Sequence, residues 1–260
     1  MAQHPDKMTF LEHLDELRQR LVRAVISLVV GFCVAWNWHE QIFHVMTAPL
    51  RQAFPGPDGI AGTADDIKFI FTGPSEALML YMKMSFFVGI FLVSPYVLYQ
   101  IWAFIEPGLY AHEKNWVFPF VALGTLFFVG GACFGHFFLF PVTFKFLGDF
   151  GGADLQFMPR IDEYYSFYSW FLLGLGVVFQ LPVVILVLAR IGLVTPGLLM
   201  RGWKFAVVGS FIVSAIVTPT PDMVTQSALA IPMIGLYFLG VGVAWAFGKE
   251  RRKVPPTSGA

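Results

Sequence analysis

Polar and apolar positions alternate on a helical period from the start of the chain. Phe10, Leu14, Leu17 and Leu21 recur at i, i+4, i+7 and i+11, one stripe of a helix. Glu12, Asp15, Glu16, Arg18, Arg20 and Arg23 cover its other sides. Thr9 followed by Glu12 reads as a capping box that starts this helix, and Glu16 to Arg20 is a favourable i, i+4 pair. The pattern predicts an amphipathic helix at a membrane surface, charges toward water, leading into a long apolar run.

Six apolar runs follow, at approximately 21–38, 76–104, 115–140, 164–189, 202–218 and 223–247. They predict an all-α polytopic membrane protein whose single membrane domain covers 1–248, with a short charged and Pro-rich tail at 249–260. His39 to Pro74 reads as a long loop, Pro141 to Asp162 as a polar loop and Arg190 to Lys204 as a short one. The second run would reach about 43 Å as helix against a hydrocarbon core of about 30 Å, so it must tilt, bend or protrude, with Pro95 the expected bend. Lys83, on this run, is expected to snorkel to the near interface. The fifth run is too short to cross comfortably, which predicts that the 218–222 turn lies below the level of the other outer loops. Gly131 and Gly135 form a small-xxx-small pair suited to close helix contact.

Composition agrees with a membrane solvent. Of 260 residues, 57% are hydrophobic and only 13% charged, where a soluble domain carries about 25% charged residues. The formal net charge is zero, so nothing marks a nucleic-acid partner. Cys33 and Cys133 sit in apolar runs and read as small buried hydrophobes. No cleavable signal peptide is expected, because a charged helix precedes a long apolar run. Lys and Arg are biased: twelve of the seventeen fall on the side of the two termini and four on the other, with Lys83 inside a span. The positive-inside rule then predicts both termini in the cytoplasm.

Catalytic constellations are missing. There is no G-x-S-x-G, no H-E-x-x-H, no Walker loop and no G-x-G-x-x-G, and His136 has no evident serine partner. Asp58, Asp65 and Asp66 lack the spacing of an EF-hand loop, so neither a metal nor another cofactor is called for. A non-enzymatic protein is expected. A small secondary transporter is the alternative, but it would place ionisable groups mid-membrane, and the span centres are nearly free of charge. Gln180 is the clearest polar group at depth; an amide can bond across helices but cannot carry a proton. It is expected to face a groove rather than lipid and to be hydrogen-bonded. On the positive rim, Glu16 and Glu113 are two carboxylates that could receive paired guanidinium groups.

Several motifs in order resemble the TatC family, the multi-spanning receptor subunits of the twin-arginine protein translocase. They are His13-Leu14-Asp15-Glu16-Leu17-Arg18, Ala48-Pro49-Leu50, the stretch from Tyr99 through Phe104 and Glu113 to Lys114, Phe140-Pro141, Phe179-Gln180-Leu181-Pro182 and Thr218-Pro219-Thr220-Pro221-Asp222. The resemblance implies six transmembrane helices in a concave, cupped bundle, with short fifth and sixth helices. It implies a plasma-membrane protein of bacteria or archaea that binds twin-arginine signal peptides of folded cargo, for export driven by the proton-motive force. TatA and TatB subunits and further copies of the chain are the implied partners, besides membrane lipid. Glu16, Arg18, Phe104 and Glu113 match the family's signal-peptide site, and Pro49 and Asp222 match functional outer-loop positions. Gln180 stands where the family often carries a buried glutamate, and Phe238 where some relatives carry an acid.

Overall fold

The charged amphipathic stretch and the first apolar run form one uninterrupted helix, α1, Phe10–Trp36. The computed structural model describes residues 10–54, 69, 73–105, 117–149, 160–218 and 222–247, so the capping role expected of Thr9 lies outside the described residues. At its far end the Asn37 side chain donates to the carbonyl of Cys33 (2.9 Å), and the chain turns at once into α2, His39–Ala53. The loop expected from His39 to Pro74 is therefore helical in its first part. The apolar positions Ile42, Met46 and Leu50 share one face, and Met46, Thr47, Pro49 and Leu50 are buried.

Helix α3, Glu76–Ile105, continues through Pro95. Proline cannot donate to the carbonyl four residues back, that of Phe91. The Ser94 hydroxyl takes that acceptor instead, at 2.8 Å, so the helix continues through the proline. Helix α4, Val117–Phe134, passes into a π-helical turn, Gly135–Leu139, and then α5, Phe140–Asp149. The expected polar loop from Pro141 is thus also helical at its start. Pro141 lies just past the π-helical turn, whose shifted hydrogen-bond pattern falls where the proline N–H is missing.

Helix α6 runs Ile161–Val178, α7 Leu181–Arg190, α8 Pro196–Arg201, α9 Trp203–Val217 and α10 Met223–Phe247. The short helix α8 interrupts the loop expected between Arg190 and Lys204; Thr195 caps it by accepting from the N–H of Leu198. Among the described residues, five stretches are long and apolar enough to cross a membrane: Leu11–Trp36, Glu76–Phe104, Phe118–Gly148, Ile161–Arg190 and Met223–Phe247. Trp203–Val217 is the shorter sixth. The last helix, Met223–Phe247, has the bounds of its apolar run and, at 25 residues, is longer than the family resemblance implied.

Packing divides the chain into two compact units, Met1–Leu173 and Gly174–Ala260. In the first, α1 and α3 touch backbone to backbone. A Cβ on Gly31 would lie 2.7 Å from the carbonyl oxygen of Gly89, and one on Gly89 would lie 2.8 Å from the Phe32 nitrogen. Aromatic rings fill the other core of this unit. Phe140, fully buried, meets Tyr168 at 4.8 Å and Phe167 at 5.4 Å between ring centroids. Three tyrosines of α6 make polar ties. Tyr164 donates to the Met46 carbonyl (2.6 Å), Tyr165 to the Lys83 carbonyl (2.5 Å), and Tyr168 pairs its hydroxyl with Nδ1 of buried His136 in the π turn (2.7 Å). Lys83 has a partner rather than a merely solvated end: its Nζ lies 2.6 Å from the carboxylate of Asp162. Cys33 and Cys133 are free and exposed, not buried as expected; in membrane helices an outward apolar position reads like an inward one.

In the second unit α10 packs on α7 at Gly240, whose missing side chain leaves room for Ile185 and Pro182. Tyr237 donates to the Leu199 carbonyl (2.7 Å), tying α10 to α8. Ser214 on α9 donates to the Gln226 carbonyl (2.6 Å), and the Gln226 amide returns a bond to the Phe211 carbonyl (3.0 Å).

Candidate functional site

The amino-terminal end of α1 is held against the carboxy-terminal end of α3. The His13 ring stacks on Phe104 with centroids 4.4 Å apart and planes 13° apart. One turn along α1, Glu16 is only 19% exposed at its side chain. Its Oε1 accepts from both Nε (2.9 Å) and Nη2 (2.5 Å) of Arg20, the pair expected from the spacing. Its Oε2 has no hydrogen-bond partner among the described residues, although His13 Nδ1 stands 3.8 Å away. Half of this carboxylate is therefore neutralised by its own helix and half is left with acceptor capacity beside an aromatic stack.

Among the predicted site residues, Glu16 and Phe104 come together through His13. Arg18 is exposed on α1 and has no ion pair among the described residues. Glu113 lies outside the described residues, on the segment that follows α3 directly after the Phe104 turn. Gln100 was not foreseen. It sits one turn before Phe104, is 4% exposed, and its Oε1 lacks a hydrogen-bond partner among the described residues. A lone amide in an otherwise apolar run was the signal available.

The remaining predicted residues lie elsewhere. Pro49 is buried inside α2. Asp222 caps α10: its Oδ1 accepts from the N–H of Thr225 (2.6 Å) and its carbonyl from the N–H of Gln226 (3.1 Å). Gln180 occupies the break between α6 and α7, half-buried, with its backbone N–H bonded to Val177 and its carbonyl to the N–H of Val184. Leu181 and Pro182 follow it as the first residues of α7, which accounts for the break, since a proline has no N–H to give to the turn before it.

Residues 12–232 match the family model described as Sec-independent protein translocase protein (TatC). The chain is 40% identical over 249 residues to the Sec-independent protein translocase protein TatC of Koribacter versatilis, covering 95% of this chain and 89% of that one. It is 41% identical over 251 residues to the protein of that name from Desulforapulum autotrophicum, covering 96% and 89%. Its fold is similar to a crystal structure of the twin-arginine translocase receptor TatC, with a TM-score of 0.75 and 34% identity over 90% of this chain and 99% of that one. The same receptor solved in DDM gives a TM-score of 0.77.

Proposed function

The chain belongs to the TatC family of Sec-independent protein translocase proteins, and from that premise we propose that the corner between α1 and α3 is where it receives the paired arginines of a signal peptide. The protein is a multi-pass membrane protein and a core subunit of the twin-arginine translocase, a transport component and not an enzyme.

In this reading Glu16 takes one guanidinium and Glu113 the other. Arg18 borders the site, and Phe104 anchors it. The observation that carries the proposal is the His13–Phe104 stack, which fixes the helix of Glu16 beside the end of α3, from which the segment bearing Glu113 departs. The acceptor capacity of Glu16 Oε2 supports it further. A planar guanidinium suits such a carboxylate better than an ammonium, because two parallel N–H donors meet two oxygens. The termini are cytoplasmic and the membrane is the plasma membrane, a reading supported by the Lys/Arg bias. TatA, TatB and further copies of the chain complete the complex, and export draws on the proton-motive force.

The test is titration of a twin-arginine peptide against the wild-type protein, Glu16→Ala, Glu113→Ala and the double variant in nanodiscs. Each charge-assisted contact contributes about 1.5–3 kcal/mol, so the double variant should bind at least about a hundredfold more weakly. A peptide with two lysines should bind more weakly to the wild type as well. Unchanged affinity in a folded double variant would return both glutamates to solvated rim charges.

A further inference from the structure

Beyond the signal-peptide corner, α1 and α3 border a groove of about 410 Å³ lined by Arg23, Ile26, Ser27, Val30, Val93 and Tyr96. The helices are antiparallel, since His13 meets Phe104 at one end and Gly31 meets Gly89 toward the other. In that register Arg23 and Tyr96 share the end nearer His13, while Val30 and Val93 share the end nearer the glycine crossing. Val93 also presses on Gly31, where a Cβ would lie 2.7 Å from its Cγ1. The groove therefore stops where the two backbones touch. Its floor is aliphatic, with Ile26 and Val30 more than half exposed, and the Ser27 hydroxyl is turned back onto the Ala24 carbonyl (2.7 Å).

Its lip is different. Arg23 is exposed and has no acidic partner among the described residues. Glu16, the closest glutamate before it on α1, is engaged by Arg20. Tyr96 stands on the neighbouring helix at the same end and is 43% exposed. A tyrosine with an apolar body and a polar tip belongs at the level of lipid headgroups.

From this geometry we infer that the groove holds one anionic phospholipid, with its phosphate on the Arg23 guanidinium and an acyl chain along Ile26, Val30 and Val93. A guanidinium meets phosphate oxygens with two parallel N–H donors, and basic pockets between transmembrane helices are the sites where such headgroups collect. A zwitterionic choline lipid would bring its own cation beside Arg23, while a glycerol headgroup would not.

Native mass spectrometry of the full chain, released from nanodiscs of equal phosphatidylglycerol and phosphatidylcholine, tests this. The wild type should retain phosphatidylglycerol about tenfold over phosphatidylcholine. Arg23→Gln should bring the ratio close to one, Arg23→Lys should keep most of the preference, and Lys204→Gln, an exposed cation of the second unit, should behave as wild type. Val30→Trp, which fills the floor, should release the bound lipid altogether, and it keeps the test decisive where Arg23→Gln does not fold. Equal retention of both lipids by the wild type, or an unchanged ratio in Arg23→Gln, overturns the assignment. So does a Val30→Trp protein that keeps its lipid but loses a dimer, because the occupant would then be a second copy.

Discussion

His13 and Phe104 lie nearly parallel, 4.4 Å between ring centres, and this one contact joins the charged end of α1 to the end of α3. An aromatic pair contributes about 0.5–1.5 kcal/mol beyond the area it buries. His13→Ala should accordingly lower twin-arginine peptide affinity by about three- to tenfold, through the loosened position of Glu16. His13→Phe should stay within about twofold of wild type. Isothermal titration in nanodiscs distinguishes them; equal affinity for His13→Ala and wild type would detach the stack from recognition.

The glycine crossing should be the least forgiving packing site. A methyl on Gly89 meets backbone atoms of Gly31 and Phe32 at 2.8 Å, and backbone cannot rotate away. Gly89→Ala should cost about 3 kcal/mol, the upper part of the range for overpacking. Gly240→Ala meets chiefly the Cδ1 tip of Ile185, at 2.6 Å, and should cost about 1 kcal/mol. Thermal unfolding of both in one detergent gives the comparison, and a reversed order would refute it.

The polar ties of α6 should differ in strength. Tyr164→Phe leaves the Met46 carbonyl without its buried donor and should cost about 1–3 kcal/mol. The Lys83–Asp162 pair is nearly half exposed on both sides, and a double-mutant cycle on it should return about 0.2–1 kcal/mol. Chemical denaturation measures both.

Asp222 should act first through its cap. Asp222→Ala should destabilise the protein by about 0.5–2 kcal/mol, whereas Asp222→Asn should keep nearly all of the stability. Export assays on the two variants then separate capping from charge. If Asp222→Asn is stable yet inactive, the carboxylate has a task beyond starting α10.

Some of this was legible in the residues. The apolar runs and the Glu16–Arg20 spacing are local patterns, and local patterns survive reading in one dimension. Helices α2 and α5 were hidden because 39–74 and 141–162 read as loops, yet Pro49 lies buried inside α2 and Pro141 inside a continuous helical stretch. The small-residue motif drew the eye to Gly131 and Gly135 within one helix, while the tight crossing uses one glycine from each of two helices, Gly31 and Gly89. The partnership of His136 with Tyr168, like that of Lys83 with Asp162, joins residues far apart in the chain and has no signature in spacing. The site was half legible: Glu16 stands out as an acid on a positive rim, Phe104 came only through the family resemblance, and the His13 ring that joins their helices comes from the fold.

Measured from its tightest approach to α3, at Gly31, the charged half of the continuous helix α1 is a long arm. Glu16 sits about 22 Å along the arm, so a tilt of about 5° would swing its carboxylate by about 2 Å, enough to make or break an ion pair. The His13–Phe104 stack clamps that arm near its tip. A rod held at two points does not swivel. The carboxylate of Glu16 is therefore held in place relative to the end of α3 before any ligand arrives.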